Sequence, residues 1–71
     1  MKTNLLVQHY IAQVGGRAEA ARRLGITVGM VGHLAVGRRK VSPRIARRIE
    51  AETNGAIRRD ALCPQVFGEA A

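Results

Sequence analysis

Glycine stops constrain this chain more than any other feature. Gly15-Gly16, Gly25, Gly37 and Gly55 cut it into four apolar-patterned segments, each of helix length, followed by a short tail. In the first segment Thr3 or Asn4 can cap a helix. Leu6, Tyr10 and Val14 recur every four residues beside Val7 and Ile11, giving one apolar stripe. The second segment, from about Arg17 to Leu24, carries Ala18, Ala20, Ala21 and Leu24, whose small side chains let another helix approach closely. Thr27 caps the third, Val28 to Val36, with Val31 and Leu34 facing inward. Ser42-Pro43 opens the fourth with a capping hydroxyl followed by proline in the first helical position. Its stripe is Ile45, Ala46, Ile49 and Thr53, and Asn54-Gly55 ends it.

The tail, residues 56–71, reads as a short extended piece at Ala56-Ile57-Arg58. Asp60 then caps one turn through Leu62, and Pro64 stops it. Leu62, Val66 and Phe67 are its apolar anchors. The pattern predicts an all-α, compact domain of four to five helices with a short extended C-terminal tail. With 71 residues the chain has material for one core, so residues 1–71 are read as a single domain. A domain of this size buries only about 60% of its unfolded surface.

Composition narrows the function classes. Tyr10 and Phe67 are the only aromatics, so the core is built from Leu, Ile, Val and Ala. This is too few rings for the stacking on which single-stranded RNA binding usually relies. The lone Cys63 excludes an internal disulfide framework and a multi-cysteine metal site, and suits a reducing compartment. No apolar run approaches the roughly 18–20 residues of a membrane span. Leu5-Leu6-Val7 is broken at once by Gln8 and His9, unlike a signal peptide. The expectation is a cytoplasmic protein without a membrane partner. His9, His33 and Cys63 have no second ligand at helical spacing, and Glu50 and Glu52 diverge on their helix. No catalytic residue, metal site or cofactor is expected, and the chain is not read as an enzyme.

The charge is both large and segregated. Twelve Lys and Arg against five Asp and Glu give a formal +7. Between Glu19 and Glu50 there is no acidic residue, while Arg22, Arg23, Arg38, Arg39, Lys40, Arg44, Arg47 and Arg48 all fall there. Segregation of one sign raises self-repulsion, so it points to a polyanionic partner. The prevalence of Arg favours bidentate phosphate contacts. Residues 17–36 supply the reading element, because they have the spacing of a helix-turn-helix. Ala21 is the small residue where two helices cross, Gly25 makes the turn four residues later, and Leu24, Ile26, Val31 and Leu34 anchor the second helix. The same spacing also suits an αα-hairpin without a nucleic-acid role; the flanking positive charge favours the first reading.

The chain resembles the Cro-like, YdaS-type antitoxin family of small phage and bacterial helix-turn-helix regulators. The resemblance is carried by Gly15-Gly16, by Ala20-Ala21-Arg22-Arg23-Leu24-Gly25-Ile26-Thr27, and by Gly37-Arg38-Arg39. It continues in Ala46-Arg47-Arg48-Ile49-Glu50, Asn54-Gly55 and Leu62-Cys63-Pro64-Gln65-Val66-Phe67-Gly68. It implies a lambda-repressor-like domain that binds double-stranded DNA as a transcriptional regulator, most simply a Cro-like repressor encoded by a bacterium or prophage. It also implies a homodimer on an operator of two half-sites. Where the family's recognition helix begins with Ser, Gln and Gln, this one has Thr27, Val28 and Gly29, and Gly32 replaces a polar residue or alanine.

The expected division of labour follows. Base contacts in the major groove fall to Thr27, Val28, Met30 and His33, of which only Thr27 and His33 can hydrogen-bond. Phosphate contacts fall to Arg17, Arg38, Arg39, Lys40, Arg44 and Arg47. With few base contacts, much of the affinity is expected from phosphates and some specificity from DNA shape. A different reading makes the chain an antitoxin or interaction protein whose tail, residues 56–71, binds a toxin or another polypeptide. The tail and Ala56–Arg58 are also the candidate dimer surface, against the alternative that the tail packs within its own monomer.

Overall fold

The computed structural model describes residues 3–68, and all of its regular structure is helical. The elements are α1 (Leu5–Val14), α2 (Arg17–Leu24), α3 (Val28–Ala35), α4 (Pro43–Glu52), α5 (Arg59–Leu62) and a π-helical turn (Pro64–Gly68). The all-α class and the four glycine-bounded helices therefore stand as read. The chain divides into two compact units, Met1–Lys40 and Val41–Ala71.

In the first unit each helix begins and ends where local chemistry says it should. Asn4 Oδ1 accepts from Val7 N at 3.1 Å, and Thr27 Oγ1 accepts from Met30 N at 3.1 Å, so α1 and α3 each have an N-terminal side-chain cap. Between α2 and α3, Gly25 adopts φ 72°, the left-handed conformation that glycine reaches without a Cβ penalty, and its N–H closes onto Ala21 O at 2.9 Å. The unit's buried residues are Val7 and Tyr10 of α1, Ala20, Ala21 and Leu24 of α2, and Val31, Leu34 and Ala35 of α3. Helix α2 packs on α3, and α1 packs on both. Ala35 O, an otherwise orphan carbonyl at the end of α3, accepts from Asn4 N at 2.9 Å and from Gln8 Nε2 at 3.4 Å, tying α1 across it.

In the second unit Ser42 Oγ accepts from Ile45 N at 3.3 Å and Pro43 occupies the first turn of α4. Val41, Ile45, Ala46, Ile49, Ile57, Leu62 and Cys63 are buried. Thr53 stitches the exit from α4: its Oγ1 donates to Ile49 O at 2.9 Å and accepts from Ile57 N at 3.1 Å. The tail departs from its expected extended form. Asp60 does not cap α5; it pairs with Arg58 at 3.1 Å, while Glu50 Oε2 accepts the Arg59 N–H at 3.3 Å from α4. Pro64 ends α5 as expected, but the chain re-enters helix at that same proline. Proline needs no amide hydrogen in a first turn, so it can begin one as readily as stop another. Of the three tail anchors Leu62 is buried, Phe67 is half-buried and Val66 is 53% exposed. Residues 69–71 of the expected tail lie outside the described residues.

Candidate nucleic-acid interface

The outward face of α3 is the surface that the capping and packing leave over. Val31, Leu34 and Ala35 are committed to the core, so the helical repeat turns Gly29 and His33 to solvent, while Thr27 and Val28 are exposed at the open N-terminal end of the helix and Met30 is half-buried. Val28 is 49% exposed, a β-branched side chain with no core function. Gly29 and Gly32 leave this face low. A Cβ at Gly29 would meet only Thr27 Oγ1 at 3.9 Å, and one at Gly32 would meet only Arg17 Nη1 at 3.7 Å. Of the four residues expected at base edges, His33 stands on the outward side of α3, Thr27 and Val28 at its exposed N-terminal end, and Met30 is half-buried.

Arg38 and Arg39 follow directly from the end of that helix. Their backbone N–H groups donate to His33 O at 2.9 and 3.4 Å, holding both residues at a C-terminus whose partial negative charge favours cations. Their side chains and that of Lys40 are exposed. Arg17 opens α2, also exposed, with its guanidinium against Gly32 of α3. Arg44 and Arg47 lie exposed on α4 in the second unit, and Arg47 stacks over the Phe67 ring at 5.4 Å.

Ion pairing sorts the cations into two groups. Arg22 and Arg23 both hold Glu19: Arg23 Nε stands 2.8 Å from its Oε2, and Arg22 engages it through two nitrogens. These hydrogen bonds, Arg22's first and then Arg23's, lower the Glu19 pKa from 4.5 to about 2. Arg48 pairs with Glu52 at 3.3 Å, Arg58 with Asp60 at 3.1 Å, and Arg59 with Glu50 at 3.8 Å. Among the described residues, Arg17, Arg38, Arg39, Lys40, Arg44 and Arg47 have no carboxylate partner. Those six are the residues expected at phosphates.

Two features, one in each unit, had no signal in the sequence. One is the seat of Arg17 on Gly32, which depends on how α2 and α3 cross. The other is Phe67. Expected as a packing anchor, it instead presents its ring to two guanidiniums, Arg47 at 5.4 Å and Arg59 at 5.2 Å. Among the described residues no cluster of three or more His, Cys, Asp or Glu is placed to hold a metal ion, and no helix is long and apolar enough to cross a membrane.

Comparison with known proteins adds an independent line. Residues 7–71 match the family model described as bacterial toxin YdaS. The regulatory protein Cro of Pseudomonas phage D3 is 29% identical over 59 residues, a stretch that covers 83% of this chain and 81% of that protein. No solved structure matches.

Proposed function

The chain belongs to the YdaS family, and from that membership we propose that it is a double-stranded DNA-binding transcriptional regulator of Cro-like type, a binding protein and not an enzyme. In this reading residues 17–36 are a helix-turn-helix within one domain spanning residues 1–71, and α3 lies in the major groove. Thr27, Val28, Met30 and His33 meet base edges, Thr27 and His33 by hydrogen bonds and Val28 by contact with a thymine methyl. Arg38, Arg39, Lys40, Arg44 and Arg47 hold phosphates, with Arg17 beside the reading face. The observation that carries the reading is the sorting of charge. Among the described residues the six cations expected at phosphates have no carboxylate partner, while the five other arginines are paired with four carboxylates, Arg22 and Arg23 sharing Glu19. An arginine held for solubility alone has no reason to divide in this way. A homodimer reading two half-sites about 34 Å apart completes the proposal, in a bacterial or phage-encoded cytoplasmic protein.

The test is a mobility-shift titration at moderate salt, with a palindromic duplex enriched from a random pool against an unselected duplex. Preference for the enriched site by about a thousandfold is the expected result. Equal binding to both, or none, overturns the regulator reading.

The family description names a toxin and not the antitoxin expected from the sequence, and its place in a toxin–antitoxin relation supports one further reading: a member that binds a polypeptide partner. Its surface would be the tail, where Val66 stands exposed beside the half-buried Phe67. Co-purification of a stoichiometric partner, lost on Val66→Asp, would support that reading. A protein that elutes alone and still selects a duplex removes it.

A further inference from the structure

On the DNA-binding reading, the outward face of α3 is short of hydrogen-bonding groups. Val28 has none, Gly29 and Gly32 have no side chains, and what remains is the His33 ring and the Thr27 hydroxyl, which accepts from Met30 N at 3.1 Å and keeps only its proton to donate. Arg17 supplies what this face lacks. It stands at the first position of α2, yet its Nη1 lies 3.7 Å from the point that a Cβ on Gly32 would occupy. The guanidinium therefore lies over Gly32 at the distance of an ordinary side-chain contact, where a side chain longer than alanine at position 32 would meet it. It is exposed and, among the described residues, has no carboxylate to hold it back.

We infer that Arg17 is a specificity-determining residue that reads a base edge, with Gly32 as the gap that admits it. A guanidinium fork matches the O6 and N7 acceptors of guanine in the major groove, whereas a phosphate contact would carry no sequence information. The preferred partner is thus a guanine at one position of the recognised site. The alanine-sized gap has a limit: a Cβ at 32 would sit in ordinary contact with Nη1, but a longer side chain would compete for the same volume.

The experiment compares the base preferences of the full-length protein and four variants by selection from a random duplex pool, with binding titrated against salt. Arg17→Ala and Arg17→Lys are expected to flatten the preference for guanine at one position by about tenfold or more, because lysine keeps the charge but not the fork. Gly32→Gln should flatten the same position with Arg17 still present, and Gly32→Ala should leave it intact. The slope of log K against log[salt] should be the same for Arg17→Ala and the parent, since a base contact releases no phosphate counterion. If Arg17→Ala weakens every sequence alike and makes that slope shallower by about one, Arg17 is a phosphate contact and the inference is overturned. A parent protein that enriches no site overturns the regulator reading itself, which is a different failure.

Discussion

At the scale of single residues, Glu19 and Phe67 each hold two arginines, and by different physics. Glu19 does so through charge. With its pKa lowered to about 2 by Arg22 and then Arg23, the carboxylate stabilises the fold above its ordinary value of 4.5, and this contribution is lost as pH falls toward 2. The melting temperature of the parent should therefore exceed that of Glu19→Gln at pH 6. The gap should be small, because the pair is exposed, and it should close between pH 4.5 and 2. A gap that does not change with pH would mean that the hydrogen bonds contribute through geometry alone. Phe67 acts through its ring face, with Arg47 and Arg59 at 5.4 and 5.2 Å. Exposed cation–π contacts are worth about 0.5–1 kcal/mol each. Phe67→Leu, which keeps most of the apolar bulk, should therefore lower the urea-unfolding free energy by about 1–2 kcal/mol and Phe67→Tyr by much less. Equal losses from both would assign the effect to packing.

At the scale of elements, the decisive contacts are those within a turn of each helix end, and these are also the ones a sequence exposes. Thr27, Ser42 and Asn4 cap because a short side-chain oxygen sits three residues before an unpaired amide, a relation that needs no tertiary knowledge. Gly25 stops α2 for a reason equally local. Gly25→Ala should cost about 1–2 kcal/mol. The cost is conformational and not steric, because nothing lies within 4 Å of the added Cβ. Urea unfolding should show a lower midpoint at an unchanged m-value. Glycines inside α3 should behave oppositely. Gly29→Ala meets only Thr27 Oγ1 at 3.9 Å and should raise stability by about 1 kcal/mol, and a loss there would mean that the helix is not formed as described. Most of what the sequence hid lay between residues eight or more apart. Glu50, and not Asp60, serves the start of α5 through the Arg59 N–H. Pro64 ends α5 as expected, and the helical turn that follows it has no sequence signal because a proline that ends one helix is equally suited to open the next. The outward face of α3 was legible from the 3.6-residue repeat, but the placement of Arg17 over Gly32 was not, since it depends on how α2 and α3 pack together.

At the scale of the whole molecule, charge is distributed as unevenly as the sequence suggested, and the ion pairs sharpen the asymmetry. Residues 1–40 carry seven Lys and Arg against Glu19, a formal +6; residues 41–71 carry five Arg against Glu50, Glu52, Asp60 and Glu69, a formal +1. Arg22, Arg23, Arg48, Arg58 and Arg59 are engaged by four carboxylates, and on the proposed reading they contribute little to binding a polyanion. Each phosphate neutralised on a DNA duplex releases counterions and adds about −0.9 to the slope of log K against log[salt]. Five rim cations at phosphates would give about −4.5 per subunit, and Arg17 would bring this to about −5 only if it too met a phosphate. The triple variant Arg38→Ala, Arg39→Ala, Lys40→Ala should make the slope shallower by about 2.7, while Arg48→Ala, which removes a cation already paired with Glu52, should leave it unchanged. The measurement is a fluorescence-anisotropy titration of each protein on one duplex across a salt series. If Arg48→Ala shifts the slope as much as one third of the triple variant does, pairing does not decide which arginines reach the phosphates, and net charge alone sets the affinity.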